Sequence, residues 1–404
     1  MMKLQKEYKE RNQTNKTEWR EVELGDERIC LISGEYGSGA SASSFDGKIR
    51  YIRITDIDEN GNLRAEKVSP NKTEDKYFLK RGDLLFARSG ATVGKTYLHK
   101  KEDNFQYAGY LIRFRFNNKV VPEYAYFFTK TQKYLNWVSL VQNVVAQPNI
   151  NAKQYSSLKI PLPFSDGKPD LKEQERIVRI LEKAEKQKER GKKANELLDE
   201  YLKSVFNEMF YNKGFEEKPL FEITKFIDYL GKTPKKTEYG ILLITAKNVR
   251  QGYISNEPKE FIAEEDYLTW MRRGFPKEGD ILFTTEAPLG NVARLGKFDK
   301  IALAQRVITF QCSKGIDSYY LLYALLSDRV KKSIGIQSTG STVTGIRSRE
   351  LKQIKIPLPP LLLQQKFSKI VEQVEKMKGN VKKTNSNSEN LFNSLMQKAF
   401  RGEL

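Results

Sequence analysis

Two long stretches of the chain place apolar residues at helical spacing. Ile177, Ile180, Leu181 and Ala184 fall at i, i+3, i+4 and i+7, and the same face resumes with Leu198, Leu202, Val205, Phe206 and Met209. Farther on, Phe367, Ile370, Val371 and Val374 repeat the spacing, followed by Leu391, Phe392, Leu395, Met396, Ala399 and Phe400. Both predicted helices carry a polar middle, "EKQKERGKKANE" and "KGNVKKTNSNSEN". A helix of about 40 residues spans about 60 Å at its fixed rise. An apolar stripe this narrow needs a covering partner, and the spacing predicts that the two helices pair as an antiparallel coiled coil. The alternative is that each packs only on its own globular domain.

Each helix follows a segment of different grammar. β-rich runs such as "YLIRFRF" and "RVITF" are set off by Gly, Asp and Asn turn signals. An aromatic helical stretch comes next, "PEYAYFFTKTQKYLNWV" in one segment and "DSYYLLYALLSDRVKKSI" in the other. Then "IPLP" closes the globular part, because its prolines block helix.

The parallel grammar reflects an internal repeat. "KRGDLLFARSGATVGK" from Lys80 matches "KEGDILFTTEAPLGNV" from Lys277. "AGYLIRF" at Ala108 matches "AQRVITF" at Ala304, and "LKIPLPF" at Leu158 matches "IKIPLPP" at Ile354, both offset by 196 residues. "EQERIVRILEKAEK" at Glu173 matches "LQQKFSKIVEQVEK" at Leu363, and "IRITDI" at Ile52 matches "TAKNV" at Thr245. Blocks in the same order make the chain a tandem of two similar halves.

The repeat settles an apparent phosphate loop. Gly90, Gly94, Lys95 and Thr96 follow an apolar run as in G-x-x-x-x-G-K-[ST], but the glycines stand one residue too close. The second copy reads "APLGNV", without the Lys and Thr, and "TYLHKKEDN" after Lys95 is not an apolar helix. A hairpin with a variable polar tip is predicted instead. No N-P-P-[YF] or D-P-P-Y stretch of an amino-methyltransferase is present, and "GEYGSG" has the wrong glycine spacing for a dinucleotide loop. Asp56 and Asp58 read as turn residues, and His99, the single histidine, as a solvated one. With Cys30 and Cys312 far apart, neither a zinc site nor a disulfide is expected.

Charge narrows the partner. The chain of 404 residues carries a net +19, an affinity for polyanions. No apolar run is long enough to span a membrane, and the start of the chain lacks a signal-peptide core. A cytosolic protein that binds nucleic acid is expected, with no membrane partner.

The repeated junctions and paired helices resemble the specificity (S) subunit of Type I restriction–modification systems. The matching residues are "WREVELGD", "GDLLFARSG…VGK", "LKIPLP…EQERIV", "LLITAKNV…G", "GDILFTTEAPLGNV", "IKIPLPPLLLQQ" and "LMQKAFRGEL". One departure is "LLLQQ", where Gln364 stands in place of the family's acidic residue. The resemblance implies an α+β fold: two α/β target recognition domains, 1–167 and 214–360, and helical spacers at 168–213 and 361–404 that form the antiparallel coiled coil. It implies a noncatalytic, nucleoid-associated subunit of the prokaryotic cytosol. Each recognition domain would read one half of a bipartite, asymmetric duplex DNA target. The helices would set the gap and dock two methyltransferase (M) subunits, directing N6-adenine methylation, with restriction (R) subunits joining the complex. S-adenosylmethionine, ATP and Mg would belong to those partners and none to this chain. A noncatalytic coiled-coil scaffold with nonspecific nucleic-acid binding is the alternative.

Arg, Lys, Asn, Gln and hydroxyl side chains are the usual DNA readers. In the first half they point to Arg88, Ser89 and Lys95 at the tip, to Gln147, Asn149 and Lys153 in "AQPNINAKQY", and to Ser38, Ser41 and Ser43 in a loop expected to be flexible. In the second half the candidates are Lys235, Lys236, Lys247, Arg250, Thr284, Thr285, Glu286, Asn291, Thr342, Arg347 and Arg349.

Overall fold

The run Leu84–Ala87 is apolar at every position because both faces of its sheet are covered. In the computed structural model, which describes residues 17–142, 148–211, 213–229, 233–338 and 344–404, this strand lies inside an antiparallel sheet of order Cys30–Tyr36, Leu111–Phe116, Leu84–Ala87 and Thr96–Leu98. Side chains alternate across a strand. Leu84 and Phe86 enter one core with Ile112 and Phe114, whereas Leu85 and Ala87 enter a second with Ile52, Tyr107 and Leu111.

The chain divides into two compact units, Met1–Gly191 with Thr384–Leu404 (unit 1) and Lys192–Lys383 (unit 2). Unit 2 repeats the sheet as Thr224–Asp228, Val307–Cys312, Ile281–Thr284 and Val292–Arg294. Its Ile281 and Phe283 face one core and Leu282 the other. A parallel strand pair also recurs, Arg50–Ile52 with Phe105–Tyr107 and Ile241–Ile244 with Ile301–Leu303.

Buried polar anchors recur with the strands. Asp83 accepts from the Lys80 amide at 2.9 Å and from Arg115, while Asp280 accepts from the Lys277 amide at 2.8 Å and from Gln311. Asp56 caps the Arg53 amide, and Asn248 caps the Thr245 amide. Asp58 accepts from the Asn60 and Asn62 amides, so both aspartates act as turn residues. Tyr124 donates to the Pro161 carbonyl at 2.6 Å and Tyr320 to that of Pro357 at 2.5 Å. The first "IPLP" is itself strand, within Lys159–Ser165 on Glu18–Glu23, and the second enters a strand with its Ile356 and Pro357, Lys355–Pro357 on Glu217–Pro219. Each aromatic stretch is two helices rather than one, Pro122–Phe128 with Gln132–Gln142 and Ser318–Leu326 with Asp328–Gln337.

The two long helices are Leu171–Phe210 and Leu361–Ala399. Gln174 pins the first, accepting from the Val121 amide, and Gln364 pins the second, accepting from the Asp317 amide. Gln364 is therefore the counterpart of Gln174. It does not stand in for an acidic residue; Leu363 occupies the place of Glu173. In unit 1 the start of the first helix packs on the end of the second, with Ile177, Val178 and Leu181 sharing a core with Phe392, Met396 and Ala399. Ile180, Leu395 and Phe400 are half-buried beside them. In unit 2 the end of the first packs on the start of the second: Leu202, Phe206 and Phe210 against Phe367, Val371 and Val374, with Leu198 and Ile370 at the margin. The pairing is antiparallel, and each helix end packs on its globular segment as well. The alternative, packing only on its own globular domain, does not hold, because the end of each helix enters the core of the other half.

Two expectations are corrected. Leu391 is 56% exposed, because the pairing face runs through Phe392, Leu395, Met396 and Ala399 and leaves Leu391 outside it. His99 is not solvated but fully buried, its Nδ1 3.1 Å from the Tyr97 hydroxyl and its Nε2 3.6 Å from Asp103. The strand Thr96–Leu98 carries it inward, where Phe105 packs against the ring at 5.3 Å. Cys30 and Cys312 are free thiols, each pushed up to about 12 by burial.

Truncating Phe206 to Ala is expected to cost about 3–5 kcal/mol, as for other large core aromatics. Leu391→Ala should stay within about 0.5 kcal/mol of the parent. Denaturant unfolding of the two variants checks both.

Burial holds the pKa of His99 below its usual value, and that loss outweighs the pull of Asp103. The unfolded chain therefore binds the proton more readily, and stability falls as pH drops below about 6.5. The thermal midpoint of unit 1 should decline between about pH 7 and 5.5. His99→Gln should flatten that decline.

Candidate functional site

In both units the central hairpin ends in a tip that two flanking segments hold in place. In unit 1 the tip leaves the sheet at Ala87, and Gly94 donates back to the Ala87 carbonyl at 3.1 Å. In unit 2 Gly290 donates to the Thr284 carbonyl at 2.9 Å. Gly90 and Ala287 hold the same place in the two turns and both take positive φ, 66° and 44°. The tip of unit 2 is one residue shorter. A strand, not a helix, follows each tip (Thr96–Leu98 and Val292–Arg294), so neither is a phosphate loop.

The first flanking segment brings distant residues to the tip. In unit 1 the Ile150 amide donates to the Arg88 carbonyl at 2.9 Å, and Ser89 bridges to Asn149. In unit 2 the Ile346 amide donates to the Thr285 carbonyl at 3.0 Å, and Glu286 bridges to Gly345. Short helices follow, Ala152–Ser156 capped by Asn151 and Ser348–Lys352 begun at Arg347. The second segment is a turn. Lys95 pairs with Glu59 at 2.6 Å in unit 1, while in unit 2 Gln251 donates to the Gly290 carbonyl and Asn291 to that of Val249.

These contacts gather many of the expected residues. Arg88, Ser89, Lys95 and Asn149 meet at the unit 1 tip, with Lys153 exposed on the adjoining helix. The Arg88 guanidinium lies over the Tyr36 ring at 4.8 Å, and Tyr36 accepts from the Ala152 amide. In unit 2 the tip joins the exposed Lys247 and Arg250 on one side to the exposed Arg347 and Arg349 on the other. Gln147 and Thr342 lie outside the described residues.

Other candidates are used by the fold. The Thr284 hydroxyl is buried, donating to the Pro288 carbonyl and accepting from the Asn291 amide. Thr285 is buried, with its hydroxyl toward the Arg306 carbonyl. The Asn291 amide group is spent on Val249. Lys236 pairs with Glu260 at 2.8 Å, and the exposed Lys235 lines a cavity of about 470 Å³ with Tyr229 and Trp270. The serine-rich loop is not free: Ala42–Ser44 pairs with Val68–Pro70, Ser41 exchanges hydrogen bonds with Asn71, and Ser43 donates to Ser69. Ser38 is buried, and its hydroxyl accepts from the Ala40 amide.

Three surface residues of the site escaped the sequence reading: Tyr36, Tyr110 and Arg306. Tyr110 is 60% exposed, and its carbonyl accepts from the Arg88 amide; Arg306 holds the same place against Thr285 and pairs with Glu286 at 2.6 Å. The signal was present in "AGYLIRF" against "AQRVITF", where Tyr110 faces Arg306 as a divergent pair inside a matched block. Among the described residues no three His, Cys, Asp or Glu side chains come together to hold a metal, and no helix is long and apolar enough to cross a membrane.

Comparison with known proteins places this geometry. The family described as Type I restriction modification DNA specificity domain matches residues 16–199 and again 212–388. The MjaVIII specificity subunit of a Type I restriction enzyme from Methanocaldococcus jannaschii is 24% identical, over 89% of this chain and 87% of its own length. The EcoKI specificity subunit from Escherichia coli K12 is 22% identical, over 89% and 80%. The fold is similar to that of a chain solved in work on complex assembly and conformational transition of the type I R-M system, with TM-score 0.59, 18% identity and coverage of 97% and 100%. It is also similar to the S subunit of a Type I system from M. genitalium, with TM-score 0.52, 16% identity and coverage of 96% and 97%.

Proposed function

Because the chain belongs to the Type I restriction–modification DNA specificity family, we propose that its two tips read the two halves of a bipartite, asymmetric duplex target. The observation that carries this reading is the twice-built tip: one backbone frame, held by the same hydrogen bonds, with different side chains at its surface. A conserved frame with divergent polar tips suits two unlike readouts of base edges. The net charge of +19 supplies the sequence-independent attraction to phosphate.

The paired helices set the gap between half-sites and offer the docking surface for two methyltransferase subunits. Leu197 and Tyr201, exposed at i and i+4 on the first helix, suit such a partner. In this reading the chain is noncatalytic. It directs N6-adenine methylation by its partners, and cleavage once restriction subunits join, and S-adenosylmethionine, ATP and Mg act in those subunits. It works in the prokaryotic cytosol on nucleoid DNA. A coiled-coil scaffold with nonspecific nucleic-acid binding would have no use for two tips of such different chemistry.

Single-molecule mapping of N6-methyladenine across the host genome, with and without the gene, tests the reading. A bipartite motif that disappears on deletion is expected; an unchanged methylome would overturn it. Arg88→Ala should relax one position of one half-site, losing about fivefold to a hundredfold in discrimination there. Equal weakening of both half-sites would remove Arg88 from the base-reading set.

A further inference from the structure

The two tips share a frame but carry opposite chemistry. Ser89 and Asn149 bridge in unit 1 where Glu286 and Gly345 bridge in unit 2. Unit 1 presents Arg88 over Tyr36, and among the described residues this guanidinium has no acidic partner. Unit 2 presents a carboxylate. Its flanking residue has no side chain, and a Cβ placed on Gly345 would lie 3.4 Å from the Glu286 Cβ and 3.7 Å from Oε2. The Glu286 side chain thus lies over the space that Asn149 fills in unit 1.

A bare carboxylate at a DNA interface repels phosphate. Arg306 removes that cost, with its Nε 2.6 Å from Glu286 Oε1. Both side chains are about half exposed, 49% and 38%. A pair this open adds little to stability, so the fold does not require it. What the pair does is hold an acceptor at the tip with its charge balanced. Oε2 makes no hydrogen bond among the described residues and faces Gly345.

We propose that Glu286 is the specificity-determining residue of unit 2, its carboxylate accepting a hydrogen bond from the exocyclic amine of a cytosine, with Arg306 as its positioning residue. This rests on the DNA-reading function proposed above. In the major groove only cytosine N4 and adenine N6 offer amine donors to a carboxylate. Adenine places its N7 acceptor beside that amine, which repels the second carboxylate oxygen, whereas cytosine places only C5–H there. Guanine offers two acceptors and is rejected. Unit 1, with an unopposed guanidinium, has the complementary preference.

Selection from a duplex library with randomised bases, using the full chain with its methyltransferase partners, tests the assignment. The wild-type protein should fix a cytosine at one position of one half-site. Glu286→Gln keeps the size and the acceptor but adds an amide donor, and the cytosine preference at that position should fall by about tenfold or more, shifting toward adenine. The other half-site should be unchanged, which certifies that the variant is folded. A bipartite wild-type motif that survives unaltered in Glu286→Gln overturns the assignment and leaves the DNA-reading function standing. Failure of the wild-type complex to select any motif overturns both.

Discussion

The architecture depends on two apolar helix faces that neither half of the chain can bury by itself. The core of unit 1 needs Phe392, Met396 and Ala399 from the second long helix, and the Phe400 ring packs on Tyr124 and Phe128 at 5.0 and 5.5 Å. The core of unit 2 needs Phe206 and Phe210 from the first, stacked among Tyr320 and Phe367. Each helix therefore ends in the core of a different unit. The polar middles fall where the two units divide, at Gly191/Lys192 and Lys383/Thr384. Gly191 has a steric role there: a Cβ would meet Asn385 Oδ1 at 1.6 Å, so the absent side chain lets the helices close. Ion pairs flank this stretch, Lys188 with Glu389 in unit 1 and Lys378 with Asp199 in unit 2.

On that base the repeat builds one holder twice. Asp83 and Asp280 fix the turn into the central strand, Gln174 and Gln364 fix the aromatic helix to the long one, and the Ile150 and Ile346 amides fix the tip. Every one of these contacts uses the backbone on at least one side. The frame is thus insensitive to most side chains at the tip. Divergence collects at positions whose side chains the frame does not use: Ser89 against Glu286, Tyr110 against Arg306, Asn149 against Gly345. A holder of this kind lets the surface side chains change while the fold does not.

Much of this was legible in the sequence, for physical reasons. Helical spacing and a covering partner follow directly from the apolar pattern. The duplication exposed the hairpin, because a phosphate loop cannot lose its Lys and Thr in one copy. What stayed hidden was the direction of individual side chains. Thr284 and Arg88 both sit at a tip, yet Thr284 turns inward to close its own turn and the half-buried Arg88 lies over the Tyr36 ring. Serine runs read as mobile, but Ser43 is held by strand pairing with Val68–Pro70 and Ser41 by hydrogen bonds with Asn71. His99 lies in a charged segment, yet strand alternation and Phe105 enclose it. Leu391 has the composition of a core residue and misses the pairing face by one position. Each case turns on tertiary contact that local composition does not encode.

The same division separates affinity from selectivity. Seventy Lys and Arg residues against fifty-one Asp and Glu give a field that draws any polyanion and weakens with salt. Such a field cannot choose between base pairs. At the unit 2 tip Arg306 balances Glu286 while the exposed Lys247, Arg250, Arg347 and Arg349 flank the pair, so in the proposed reading the neighbours supply attraction and Glu286 supplies hydrogen-bond geometry. At the unit 1 tip the guanidinium lies over an aromatic face, which attracts the cation without neutralising it. One tip carries a cation over an aromatic ring and the other a carboxylate paired with an arginine. In the proposed reading, an asymmetric target is what two such unlike tips, carried on one duplicated frame, would select.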